Sequence, residues 1–300
     1  MSGTIVAIGD VLLQLISNEL QESTYQDTLI VDAAKAEYGG AAWNVAWNLE
    51  QLGWTTRMLA QHGPDAVGCF PPLPVSGRDA LEPFWRKRTQ TDQLLVFPNM
   101  TMPAIYLRGG LSPDELDSMF VDTGGYAAIV FAGSRHHELR RRTLDTLFSR
   151  RGPLRVFSPS YTVHGYAYEE LAAFLEQSDI AIVNRREAAF LARVFAADEA
   201  AVMGRAGIAG VVTRDEDGAA IYPARGVAFH LPSTSGVRGD VIGAGDAFLS
   251  GFVDVFLRSR DVTAAARAGI EISAQTARQG LVCAALDATR VRRWPGCEGE

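Results

Sequence analysis

The sequence predicts an α/β fold: a mostly parallel central sheet layered between helices, with a small β-sheet set outside it as a lid. Three observations carry this. Short β-branched runs recur along the chain, they are apolar almost without interruption, and segments of helical period separate most of them. Strands covered on both faces read this way, and parallel sheets are covered on both faces.

Taken in order, the first core run is TIVAIG (4–9). Residues 11–38 and 93–110 (QLLVFPNMTMPAIYLRGG) are strand-like with no helix between their strands. They are expected to pair as a small antiparallel sheet over the mouth of the main one, a position suited to a lid. A helix is predicted over 41–52, and the proline-rich stretch 69–83 reads as a rigid connector. The remaining strands fall at 127–133, 155–160, 179–184 and 209–214, and the remaining helices at 136–150, 165–177, 185–196, 246–258 and 262–279. No internal repeat appears, so residues 1–300 are read as one large domain with 11–38 and 93–110 inserted as the lid.

Composition narrows the class. Hydrophobic residues make up 47 % and charged residues 21 % of the chain, which excludes a disordered or fibrous protein. The balance of 28 Lys and Arg against 35 Asp and Glu leaves a net charge of −7, and no basic field favours nucleic acid or an anionic membrane. The basic run RHHELRRR (135–142) is expected to be the solvated face of a helix. Three cysteines, Cys69, Cys283 and Cys297, without C-x-x-C spacing speak against a disulfide framework or a zinc site and suit a reducing cytoplasm. The N-terminal apolar run carries Asp10 and no cationic flank, so it reads as a core strand rather than a signal peptide.

The chemistry concentrates in RGDVIGAGDAFLSGF (238–252), where a side-chain-poor loop meets a carboxylate at the start of an apolar helix. A glycine-rich turn entering a helix offers bare backbone N–H groups at a positive dipole end, an anion cradle. Gly243, Ala244 and Gly245 would donate to the anion, and Asp246 stands beside them. Amides that stabilise a moving phosphoryl group next to an acid that takes a hydroxyl proton suit phosphoryl transfer. The alternative is a glycine-rich helix entry in which Asp246 only caps.

Two further elements point the same way. In YGGAAWNVAWNLEQLG (38–53), Gly39 and Gly40 precede a helix carrying Asn44, where backbone can approach a ligand and an amide can meet hydroxyls; a helix packed on the sheet would read alike. In IVNRREAAFL (182–191), a strand ends at Asn184 and a helix begins with Glu187. The pair either completes a capping box or orders water around magnesium.

In this order and spacing, the three elements resemble the ribokinase-like, or PfkB, family of carbohydrate kinases over nearly the whole chain. Gly39, Gly40 and Asn44 are similar to its first signature, Asp240, Gly243, Ala244, Gly245 and Asp246 to its second with Val241 in place of Thr, and Asn184 with Glu187 to its N-x-x-E motif. GPDAVG (63–68) resembles a further family stretch. The resemblance implies a three-layer αβα fold with a β lid, and transfer of the ATP γ-phosphoryl group, with Mg²⁺, to a primary hydroxyl of a sugar-like molecule. It implies Asp246 as base with the Gly243, Ala244 and Gly245 amides as anion hole. Gln14, Gly39, Gly40 and Asn44 would hold the acceptor, Asn184 and Glu187 would serve metal (through water) and phosphates, and Thr213 and Gly218 would lie near the nucleotide. The expected partners are therefore that small molecule and ATP, with lid edges through which two copies could pair.

Three positions depart from the family pattern. Gln14 stands where an acid is usual, SPSYT (158–162) replaces D-x-N-x-R, and Asp215 takes the place of a glycine. They motivate a rival from another class, a kinase-like binding or regulatory protein without catalysis. No G-x-x-x-x-G-K-[ST] and no early G-x-G-x-x-G is present, so a P-loop kinase and a dinucleotide oxidoreductase are poor fits.

Overall fold

The computed structural model describes residues 3–16, 21–22, 29–30, 35–60, 92–96, 105–107, 120, 125–233 and 243–279. The motif residues Asp240 and Val241, the stretch 63–68, the connector 69–83 and the three cysteines lie outside them.

The main sheet has eight strands, in the order β14 (Phe229–Leu231), β13 (Ala219–Pro223), β12 (Ala209–Thr213), β11 (Ile180–Asn184), β10 (Leu154–Phe157), β9 (Tyr126–Phe131), β1 (Thr4–Ile8) and β6 (Thr55–Leu59). From β12 to β6 every pairing is parallel, and β13 and β14 add an antiparallel edge. Consecutive residues Ile5 to Ile8 and Ala128 to Phe131 are all fully buried, so both faces of the sheet centre are covered, as the unbroken apolar runs required. Strands β6, β13 and β14 are absent from the sequence reading because short runs beside Gly and charged residues lack that signature.

A second, four-stranded sheet has the order β5 (Lys35–Gly39), β2 (Leu12–Ile16), β7 (Asp92–Val96), β8 (Ile105–Leu107), and β3 (Gln21–Glu22) pairs with β4 (Leu29–Ile30). It is mixed rather than antiparallel, because β2 and β7 run parallel while the outer pairs run antiparallel. The two strands come from segments far apart in the chain, so no hairpin turn imposes opposite directions on them.

Helix α1 (Ala41–Gln51) packs on β1 and β6, α6 (Ala244–Ser259) packs on α1, and α7 (Val262–Gln279) on α6. Elsewhere α2 (His137–Thr143) continues into a π-helical turn over Leu144–Phe148, followed along the chain by α3 (Tyr168–Gln177), α4 (Arg185–Val194) and the short α5 (Glu199–Met203). Phe174 of α3 stacks on Phe131 at 4.6 Å and Phe157 at 4.7 Å, locking that helix to β9 and β10.

The basic run 135–142 is not wholly a solvated face. Arg141 is half-exposed and pairs with Glu138 and Asp145, but Arg140 is buried. Its guanidinium meets both oxygens of Glu170 at 2.9 and 3.1 Å and the carbonyls of Ser134 and Gly165 at 3.1 Å. A charged head turns inward here because nearly all its donors find acceptors.

Candidate active site

The carboxyl ends of the parallel strands open on one edge of the sheet, where ligands gather in such folds. Helix α6 begins there. Its N-cap Gly243 has φ 87° and ψ −10°, a left-handed conformation that costs a glycine little. The first intrahelical bond runs from the Ala247 N–H to the Gly243 carbonyl at 2.9 Å, so the amides of Ala244, Gly245 and Asp246 precede the helical ladder and sit at its positive end. A Cβ built on Gly245 would meet no atom within 4 Å, so this turn faces open space. Bare amides at a helix N-terminus beside open space are a setting that suits an anion.

Asp246 lies in the first turn of α6, and Asn44 Nδ2 donates to its Oδ2 at 2.7 Å. Burial pushes the Asp246 carboxyl up to about 7, and the Asn44 hydrogen bond works against that rise. The helix behind it, from Ala247 to Leu257, is buried, so the acid is rigidly mounted.

The small sheet reaches the same point. Gly39 ends β5 opposite Leu12 of β2, and Gln14 lies two residues further along β2, between Glu37 and Leu94 of the neighbouring strands. Gly40, at φ 94°, caps α1 and accepts the Asn44 N–H at 3.0 Å. One glycine pair thus carries the chain from the small sheet into the helix that presents Asn44.

Asn184 and Glu187 form the capping box. Asn184 Oδ1 accepts the Glu187 N–H at 2.9 Å, while the Asn184 N–H and Nδ2 donate to the two Glu187 oxygens at 3.0 and 2.7 Å. Burial raises the Glu187 carboxyl to about 7, opposed by the Asn184 backbone N–H and reinforced by the negative charge of Asp246. The two acids therefore share one neighbourhood. Positive charge would relieve both, which suits a divalent cation, and the occupied Glu187 oxygens suit contact through water. Among the described residues no group of three or more His, Cys, Asp or Glu side chains is placed to hold a metal.

Thr213 ends β12 directly beside Asn184. Gly218 closes the following turn at φ 97°, where a Cβ would stand 2.1 Å from the Leu231 carbonyl oxygen; close packing already demands glycine there. Arg185 ties the two turns, donating to the Arg214 carbonyl at 3.1 Å and to Asp217 at 2.5 Å. The sequence reading brought Asp246, Asn44, Asn184, Glu187 and Thr213 to this edge, with Gly218 further along the β12–β13 turn.

It missed Asp10. This buried acid follows β1, accepts the Ser134 hydroxyl at 2.5 Å and the Arg135 N–H at 3.0 Å, and gives its own N–H to the Gly133 carbonyl at 3.2 Å. It pins the β9 loop to the point where the chain leaves β1 for the small sheet. A carboxylate directly after a core strand was the available signal.

A profile described as pfkB family carbohydrate kinase matches residues 122–289, more than half of the chain. No curated protein matches it. Among solved structures, it is similar to a nucleoside kinase of Burkholderia thailandensis in complex with inosine, with 21 % identity and TM-score 0.74 over 96 % of this chain and 95 % of that one. It is also similar to a ribokinase from Thermotoga maritima, with 14 % identity and TM-score 0.77 over 97 % and 98 %. A third is a sugar kinase from Pyrococcus horikoshii in complex with ATP, with 16 % identity and TM-score 0.72 over 98 % of each chain. At these identities the likeness is one of fold.

Proposed function

From the premise that the chain belongs to the pfkB family of carbohydrate kinases, we propose that it transfers the γ-phosphoryl group of ATP to a primary hydroxyl of a sugar or sugar-like molecule. The observation that carries this is the Asn44–Asp246 contact of 2.7 Å at the mouth of an anion cradle. Asp246 is the base: its carboxylate takes the proton of the acceptor hydroxyl, whose oxygen then bonds to the γ-phosphorus as the bond from that phosphorus to the bridging oxygen breaks. The amides of Gly243, Ala244 and Gly245 face the charge that develops on the moving group.

Asn44 has two tasks. It holds Asp246 in place and favours its ionised form, and with Gly39, Gly40 and Gln14 it lines the acceptor side. The small sheet of β5, β2, β7 and β8 closes on that side as a lid and excludes water. Asn184 and Glu187 hold Mg²⁺ through water, with Thr213 and Gly218 toward the nucleotide. When bound, the cation neutralises phosphate charge and returns both acids toward their ordinary ionisation.

The test combines binding and turnover. Titration calorimetry with ATP and Mg²⁺ is expected to show binding, and a screen of sugars, sugar acids and nucleosides to reveal an acceptor that consumes ATP. Asp246→Asn should abolish turnover while ligand binding stays nearly unchanged. Equal turnover in that variant refutes Asp246 as base, and a protein that binds no nucleotide is not a kinase.

A further inference from the structure

Helices α1 and α6 run side by side in the same direction and are tied turn by turn. Asn44 meets Asp246 at 2.7 Å, Ser250 Oγ lies 3.5 Å from the Val45 carbonyl, Trp54 Nε1 donates to Asp254 Oδ1 at 2.7 Å, and Arg258 reaches the Leu52 carbonyl at 3.4 Å. Asp246, Ser250 and Asp254 recur every four residues and form one stripe of α6; Asn44, Asn48 and Leu52 form the facing stripe of α1. This seam is polar where helix contacts are normally apolar. It is also sealed, since Asn48 is 1 %, Ser250 0 % and Asp254 1 % exposed.

Within it, polar capacity goes unspent. Among the described residues neither Nδ2 nor Oδ1 of Asn48 has a hydrogen-bond partner, and neither does Asp254 Oδ2, although Asp254 Oδ1 accepts from both Trp54 and Arg258. A buried amide without partners is destabilising, whereas an apolar side chain of the same size would not be. Buried donors and acceptors cut off from bulk solvent are the setting in which internal water is found.

We propose that ordered water lies between α1 and α6 at Asn48, bonded to its amide, and that Asn48 is a positioning residue for Asp246. The water holds α1 at the distance and rotation that bring Asn44, one turn above, against the acid. Its kinetic consequence rests on Asp246 being the base, whereas its structural content does not.

The experiment is a crystal structure of the full chain that orders solvent, together with Asn48→Leu and Asn48→Ser. Water bonded to the Asn48 amide is expected, and a dry amide overturns the proposal. Asn48→Leu should lower Tm and reduce kcat about tenfold with KM for ATP unchanged, because only the placement of the base is disturbed. Asn48→Ser, which keeps a hydroxyl for the water, should recover most of that loss. A Leu variant that matches or exceeds the wild type in both Tm and kcat overturns the proposal. Should Asn48→Leu fail to fold, the wild-type solvent decides. Should the protein prove to have no kinase activity, the functional reading falls alone, and the Asn44–Asp246 separation in the Leu variant takes the place of kcat.

Discussion

Asn44 and Asp246, 202 positions apart in sequence, meet through one hydrogen bond of 2.7 Å between the first turns of α1 and α6. The bond couples the element that follows the small sheet to the element that carries the anion cradle. Burial raises the acid, and this bond offsets part of the rise.

That coupling predicts a pH profile. Asp246 must be ionised to accept a proton, and burial holds it near 7, so kcat/KM should rise with pH through about 7. Asn44 favours the ionised form. Asn44→Ala should therefore move the midpoint upward, by about one pH unit. A midpoint that stays in place or falls would separate Asn44 from the titrating group.

The same raised acid weakens the fold as pH rises. Its folded value, about 7, exceeds its ordinary 3.8, so the unfolded chain loses this proton first. The associated stability is full below about pH 4, declines up to about pH 7 and is flat beyond. Asp246→Asn lacks this decline. It should be more stable than the wild type at pH 8 by on the order of 1–3 kcal/mol and nearly equal at pH 4. Denaturant midpoints at the two pH values check this, and a variant less stable at pH 8 contradicts it.

Two glycines separate cradle from scaffold. Gly245 faces open space within a helix, so Gly245→Ala should stabilise the protein by roughly 0.5–1 kcal/mol yet lower turnover about tenfold or more by crowding the phosphate. Gly218 sits at φ 97° against the Leu231 carbonyl, so Gly218→Ala should cost about 2–4 kcal/mol. Thermal melts beside ATP-consumption assays distinguish them. Unimpaired turnover in Gly245→Ala would show that no ligand group approaches that turn.

Arg140, buried, pairs with the partly buried Glu170 between α2 and α3. Arg140→Ala leaves the carboxylate with the Ala167 N–H and His137 and should cost about 1–3 kcal/mol, whereas Arg140→Met with Glu170→Leu should cost clearly less. Chemical denaturation measures both. Equal losses would mean that packing of the arginine stem, not charge, holds the two helices.

Much of this was legible in the sequence because it is local. Continuous apolar runs reveal strands covered on both faces, and β1, β9, β11 and β12 lie within a residue or two of their expected limits, while β10 ends three residues early, at Phe157. Asn184 and Glu187 are three residues apart, so their capping box needs only one helical turn to form. The glycines at 243 and 245 announce a bare backbone whatever surrounds them.

What the chain alone could not decide depends on partners distant in sequence. The direction of β7 against β2, the inward turn of Arg140 toward Glu170, and the polar seam between α1 and α6 arise only when separate elements pack. Periodicity records which side chains shun water; it does not record which polar group will meet which. By itself the sequence determined an α/β fold with an acid beside a glycine-rich helix entry. Tertiary structure alone decided that this acid meets Asn44 in a desolvated setting near Glu187, because desolvation and Coulomb interaction depend on distances that no local pattern encodes.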